Sequence, residues 1–224
     1  MQDFNLKKTL KVYAITDRKY ILHNNYTIEE AVENAIKGGA TIIQLREKEL
    51  DFNIFLKQAI SLKKITSKYN IPLIINDNID VAIKSNADGV HLGQSDIIGK
   101  DLLQIRTLFK NKIIGLSANS IEEAFIGLKY GVDYLGIDTP FSKTKYSKNT
   151  KKDAKQMSFE KMIEITNNIK IPCVAIGGIH TNTIPLLKGT GISGVAMISA
   201  IFDNKDIKQE TVKLTNLINQ YIYY

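Results

Sequence analysis

Short β-branched runs alternate with longer stretches of helical period along this whole chain, and few folds can accommodate that order. The runs are Leu10 to Thr16, Thr41 to Leu45, Pro72 to Ile75, Gly89 to Leu92, Lys112 to Leu116, Asp133 to Ile137, Ile171 to Ile176 and Ile192 to Ile198. Runs that are apolar throughout are strands covered on both faces, as in parallel sheets. Helical patterns follow them over Thr27 to Lys37, Asp51 to Tyr69, Asp80 to Ser85, Lys100 to Phe109, Ser120 to Tyr130, Ser158 to Asn168, Thr181 to Leu187 and Asp206 to Tyr221. In the fourth of these, Leu102, Ile105, Leu108 and Phe109 form one apolar stripe, while Gln104, Arg106 and Lys110 fall mostly elsewhere. Glycine recurs just before strands, in Gly38-Gly39-Ala40-Thr41, Ala87-Asp88-Gly89-Val90, Gly131-Val132-Asp133-Tyr134 and Gly191-Ile192-Ser193-Gly194. Such a glycine supplies a left-handed helix cap. Eight strands alternating with eight helices predict a single (β/α)₈ TIM barrel over residues 1–224, with no linker inside it.

Composition narrows the partners. The net charge of +7 suits an anionic ligand, but the lysines are dispersed, and no compact basic block interleaves with aromatics. That disfavours nucleic acid and leaves small phosphorylated molecules. No apolar run approaches the roughly 18 residues that span a membrane. The segment Met1 to Lys8 carries an acid and lacks the apolar stretch of a secretion signal. Cys173, the single cysteine, excludes an internal disulfide framework and reads as a buried, inert thiol. These features predict a cytoplasmic protein, and the sequence is compatible with a homo-oligomer.

In a barrel of this kind the loops after the strands build the site, so the strand ends are the informative positions. The third and fourth strands each stop at a carboxylate, in Ile74-Ile75-Asn76-Asp77 and in Val90-His91-Leu92-Gly93-Gln94-Ser95-Asp96. Asp77 alone would read as a helix cap; the pair of Asp77 and Asp96 on neighbouring strands reads as hard oxygen ligands for a divalent cation. The second strand ends in Gln44-Leu45-Arg46-Glu47-Lys48, where alternation sets Arg46 and Lys48 on one side. The fifth ends at Ser117, which suits either a helix cap or a ligand contact. The seventh and eighth lead into Gly177-Gly178 and Ile198-Ser199, turns able to hold phosphate by backbone N–H groups. After the sixth strand, Thr139 to Gln156 is polar and long, and reads as a mobile active-site loop. His91, inside a strand, reads as an interior histidine satisfied by its neighbours.

On these residues the chain resembles the thiamine phosphate synthase family nearly end to end. The matching segments are Tyr13 to Asp17, Gln44 to Lys48, Asn76-Asp77, Ala87 to Asp96, Gly115 to Ser117, Ala175 to Ile179 and Met197 to Ile201. The resemblance implies a transferase that joins an aminopyrimidine methyl diphosphate to a thiazole phosphate and releases pyrophosphate. It implies that Gln44, Leu45, Arg46, Glu47, Lys48 and Asn76 bind the pyrimidine diphosphate, and that Ser117 contacts its ring. It further implies Mg²⁺ on Asp77 and Asp96, and thiazole phosphate on Gly178, Ile198 and Ser199. After the sixth strand the chain departs from the family, carrying Gly136-Ile137-Asp138-Thr139-Pro140-Phe141 where Gly-Pro and an aromatic residue are usual. The family's Thr-x-Thr-Lys signature fits twice. One placement uses Ser142, Thr144 and Lys145; the other ends in Thr150-Lys151. Arg46, Lys48 and either Lys145 or Lys151 are therefore the candidates for stabilising the departing pyrophosphate.

Two other functions share this barrel. A thiazole tautomerase lacks the metal-binding aspartates and places a histidine after the sixth strand. Here both aspartates are present, and no histidine lies between His91 and His180. A non-catalytic ligand-binding regulator is favoured only by the altered loop.

Overall fold

In every strand of this protein alternate side chains face the barrel axis and the surrounding helices, and two separate cores result. The computed structural model describes residues 5–99, 101–142 and 157–222. Its strands are β1 (Val12–Ile15), β2 (Ile42–Leu45), β3 (Leu73–Asn76), β4 (Gly89–Leu92), β5 (Ile113–Ser117), β6 (Tyr134–Asp138), β7 (Cys173–Ile176) and β8 (Gly194–Met197). All neighbours pair in parallel, and β8 closes on β1 through Tyr13↔Ala196. The inner core contains Leu10, Tyr13, Ile15, Ile42, Ile74, Ile113, Tyr134, Val174 and Ala196. Leu6, from the short helix Leu6–Thr9, packs against it. The outer core takes the intervening residues, among them Ala14, Ile43, Leu45, Ile75, Leu116, Leu135 and Ala175, and packs them against the helices. Each Ile, Leu or Val buried in either layer contributes about 1.5–3 kcal/mol.

The helices follow from their stripes and caps. Phe52–Lys68 buries Phe55, Ala59, Leu62 and Thr66, a spacing that keeps one face on the barrel, and Asp51 caps its first turn. Thr27 and Glu30 form a reciprocal capping box at the start of Ile28–Lys37. The strand starts are tied by side chains as well as by the ladder. Thr41, Asp88 and Asp133, each one residue before its strand, accept from Val12, Leu73 and Ile114 N–H at 2.9, 2.8 and 2.7 Å.

The structure departs from the sequence reading in three places. Gly39 and Gly131 do take positive φ after their helices and Gly191 after a 3₁₀ turn, but Asn86 (φ 53°) does so before β4. Gly89 lies inside β4 for lack of room, since a Cβ there would sit 2.2 Å from the Ile113 carbonyl oxygen. The expected helix Thr181 to Leu187 is only the 3₁₀ turn Ile184–Leu187, entered at Pro185. Short helices Arg18–His23 and Ser199–Phe202 and the 3₁₀ turn Gln94–Ile97 fall within loops, where too few residues repeat for a period to show. Among the described residues no helix is long and apolar enough to cross a membrane.

Candidate active site

The inner core stops short of the carboxyl ends of the strands and leaves a cavity of about 110 Å³. Its lining takes polar side chains from Tyr13, Gln44, Arg46, Asn76, His91, Ser117 and Tyr134, set among Ile15, Ile176 and Ile198. An apolar cavity of about 150 Å³ accepts benzene, so this space is on the scale of a single ring. Along its floor runs an unbroken line of hydrogen bonds. Gln44 Nε2 donates to the Tyr13 hydroxyl at 2.9 Å, which lies 2.7 Å from the Tyr134 hydroxyl. That hydroxyl is 3.0 Å from His91 Nδ1, and His91 Nε2 is 3.1 Å from Ser117 Oγ. Burial pushes the His91 ring down to about 4, with Asp96 opposing weakly. His91 is thus the satisfied interior histidine that the sequence suggests. Ser117 does not cap the following helix; Ser120 does, accepting from Glu123 N–H.

The end of β2 divides by side. Gln44 and Arg46 line the cavity, whereas Leu45 is fully buried in the outer core. Glu47 is held by Arg18, whose Nε and Nη2 donate to its carboxylate at 2.7–3.1 Å, and its side chain is only 4% exposed. The Leu45 and Glu47 side chains are thus both engaged within the fold, with Glu47 still on the rim beside Arg46 and Lys48. Strand alternation turns the first outward, and an ion pair occupies the second. Arg46 lies 3.7 Å from Asp17, and Lys48 is exposed beside it on the rim.

The two carboxylates meet. Asp77 takes a left-handed backbone (φ 63°), and its N–H donates to the His91 carbonyl at 2.8 Å. Asn78 rather than Asp77 caps the next helix. Asp96 is anchored in the turn after β4, accepting from Gly93 N–H at 2.7 Å. Burial and then the adjacent Asp96 push the Asp77 carboxyl up to about 6, against the pull of Lys48 and Arg46. Two crowded carboxylates of this kind can hold a cation between them. Among the described residues no three His, Cys, Asp or Glu side chains form a metal cluster. Such a site suits Mg²⁺, which binds through one or two carboxylates and completes its shell with water and substrate phosphate.

Across the mouth, Gly177 (φ 96°) and Gly178 (φ 62°) turn the chain after β7. A Cβ on Gly178 would meet the Phe141 carbonyl oxygen at 2.4 Å, so this turn lies directly against the segment after β6. Gly178 and Ser199 share a second cavity of about 310 Å³, while the Ile198 side chain faces the central one. After β6, Thr139 is fully buried and its hydroxyl donates to the Gly177 carbonyl. Ser142 N–H bonds back to the Thr139 carbonyl at 3.0 Å. Thr144, Lys145 and Lys151 lie outside the described residues.

A model of the thiamine monophosphate synthase family matches residues 12–201. The chain belongs to that family. A thiamine-phosphate synthase of Ruminiclostridium cellulolyticum is 46% identical over 206 residues, covering 92% of this chain and 94% of the relative. One from Clostridium tetani is 42% identical over 220 residues, 98% of this chain and all of its own. A solved thiamine phosphate pyrophosphorylase from Pyrococcus furiosus superposes with a TM-score of 0.84 at 33% identity, covering 97% of this chain and 100% of that one. A Clostridium perfringens N-acetylmannosamine-6-phosphate 2-epimerase, 16% identical with a TM-score of 0.64, shares the fold alone. The relatives support the synthase, and the tautomerase and regulator readings gain nothing from them.

Two features of the site do not stand out in the sequence. Tyr13 and Tyr134 sit in apolar strands at inward-facing positions, and a hydroxyl buried there has to find a partner. That signal was available. Asp138 ends β6 in the same register as Tyr134 and Gly136, and burial raises its carboxyl, with Asn119 hydrogen bonding in opposition.

Proposed function

We propose that this chain condenses an aminopyrimidine methyl diphosphate with a thiazole phosphate, giving thiamine phosphate and pyrophosphate. The observation that carries this reading is the Asp77–Asp96 pair facing Arg46 and Lys48, beside a cavity the size of one ring. The ring would sit among Gln44, Asn76 and Ser117, with its diphosphate directed to Arg46 and Lys48. Asp77 and Asp96 would hold Mg²⁺, which when bound acts as a Lewis acid on the diphosphate oxygens. The Gly178 and Ser199 turns would take the thiazole phosphate.

The chemistry asks little of the side chains as acids or bases. The C–O bond to the diphosphate breaks, and its electron pair leaves with pyrophosphate. The electron-rich aminopyrimidine carries the resulting benzylic-type cation until the thiazole nitrogen lone pair forms the new C–N bond. Arg46 and Lys48 stabilise the charge that grows on the leaving group, the largest service the protein can offer here. No nucleophile or general base is needed. We place the enzyme in the cytoplasm, a reading supported by the one buried cysteine.

Mixing both substrates with Mg²⁺ should give thiamine phosphate and pyrophosphate in equal amounts, and a strong chelator should stop the reaction. No product, or full turnover with the chelator, would overturn the reading. Single-turnover rates of Lys145→Ala and Lys151→Ala at saturating substrate separate the two loop placements. We expect Lys145→Ala to lose on the order of 2–4 kcal/mol of transition-state stabilisation. Loss only in Lys151→Ala would move the lysine to the second placement, and loss in neither would leave the charge to Arg46 and Lys48.

A further inference from the structure

We propose that the hydrogen bonds beneath the mouth form a one-way relay that holds Gln44 Oε1 as an acceptor and Ser117 Oγ as a donor, and so selects an amino- over an oxo-pyrimidine. Tyr13, Tyr134 and His91 are then positioning residues. The inference deepens the function proposed above and rests on it for the identity of the ring.

With the Gln44 amide turned as it is here, Nε2 toward Tyr13, counting protons gives the direction. An amide nitrogen can only donate, so the Tyr13 oxygen accepts from Gln44 Nε2 at 2.9 Å. A phenol has one proton, and the Tyr13 proton goes to its other neighbour, the Tyr134 oxygen at 2.7 Å. The Tyr134 proton then has His91 Nδ1 at 3.0 Å. Nδ1 is thereby an acceptor, so the imidazole proton sits on Nε2 and points at Ser117 Oγ, 3.1 Å away. The Ser117 proton has to point elsewhere, and Ser117 lines the cavity. At the other end Gln44 also lines the cavity, with Oε1 outside the relay and no fully buried side-chain N or O left unbonded. Each internal member passes a single proton, so the relay cannot branch. Reversing it would require every proton to move and the Gln44 amide to turn over. Gln44 Oε1 is thus left as an acceptor, and Ser117 Oγ with its proton to give and one lone pair.

A second observation shows that the barrel makes room for this line. Gly115 and Gly136 occupy inward positions on β5 and β6. A Cβ on Gly115 would stand 2.2 Å from Tyr134 Cζ and 2.5 Å from His91 Nδ1. On Gly136 it would come within 3.1 Å of His91 Cε1. Tyr134 also stacks on His91 with ring centroids 5.5 Å apart and meets Tyr13 edge-on at 5.9 Å. The ring positions are thus packed as well as bonded.

An aminopyrimidine offers an exocyclic N–H and ring nitrogens with lone pairs, which match one acceptor and one donor. An oxo-pyrimidine presents a carbonyl and a ring N–H in their place; the carbonyl then faces the Gln44 Oε1 acceptor, and the N–H can be met only by the second lone pair of Ser117 Oγ, with the serine proton turned aside. Sites that hydrogen-bond their substrate can reject a mismatched analogue by several orders of magnitude.

Two measurements test the relay. Nitrogen NMR of His91 in the ligand-free wild-type protein should show the proton on Nε2 and a bare Nδ1, independently of any activity. A proton on Nδ1 would overturn the direction. The ratio of kcat/KM for the 4-amino and 4-oxo pyrimidine diphosphates should be at least about 100 in the wild type. It should fall about tenfold or more in Tyr134→Phe, which keeps the packing and cuts the line, and Tyr13→Phe serves if that variant does not fold. An unchanged ratio in a folded variant would overturn the proposal. If the wild type makes no product at all, the functional reading falls, while the His91 tautomer still decides the relay.

Discussion

Asp77 shows how a site can work against its own fold. Its carboxyl is raised to about 6 by burial and by Asp96, whereas the unfolded chain releases this proton near pH 4. The unfolded state therefore ionises first, and a stability penalty builds up as pH rises from about 4 to 6 and persists above. In the metal-free protein this group alone makes acidification over that window stabilising. Asp77→Asn and Asp96→Asn remove the repulsion, and asparagine also tolerates the left-handed backbone at position 77. Each should raise the metal-free Tm by about 2–4 °C while lowering turnover on the order of 100-fold. Added Mg²⁺ should raise the Tm of the wild type and not of the double variant. Scanning fluorimetry with an activity assay checks both, and lower Tm with normal turnover would count against the metal assignment. At this scale the placing of Gln44, Asn76, Asp77, Asp96 and Ser117 on one rim was legible, because each stands at a strand end or, for Asp96, in the turn just after one. The ion pair of Glu47 was not, since its partner Arg18 comes from a different loop.

Among the elements, the tightest junction is the turn after β7 against the segment after β6. Gly178 has positive φ, and Phe141 occupies the space a side chain would need. Gly178→Ala therefore strains both the turn and its neighbour and should cost about 1–3 kcal/mol of stability in denaturant titrations. It should also weaken thiazole phosphate binding in calorimetry and leave the pyrimidine diphosphate nearly unaffected. Equal weakening of both ligands would show that the two subsites are misassigned. The order and type of the main elements were readable from period and length. Their ends were less so, because Asn86 takes the cap where Gly89 was the expected residue, Asn70 (φ 55°) does the same before β3, and only the backbone angle tells such asparagines apart.

Taken as a whole molecule, the barrel keeps three weak acids protonated. Burial raises the Tyr13 and Tyr134 hydroxyls and pushes the Cys173 thiol up to about 12. Free cysteine ionises near 8.5 and tyrosine near 10. The unfolded chain releases these protons first, so their contribution is fully present below about pH 8.5 and is lost as pH rises toward the folded values. For Cys173 that window runs from about 8.5 to about 12, at up to about 1.4 kcal/mol per pH unit. Thermal melts should stay level near pH 8 and fall above about pH 9, with a shallower decline in Cys173→Ala and Tyr134→Phe. The same alkaline slope in these variants would contradict the linkage. What the sequence determined by itself was the strand count, the parallel barrel and the residues at its rim, because those depend on spacing along a few consecutive residues. Only the tertiary structure decided which inward side chains meet. Tyr13 and Tyr134 are 121 positions apart, and Gln44 reaches Ser117 only through residues on three other strands. Closing β8 onto β1 brings those walls together, and no local pattern in the chain records that distance.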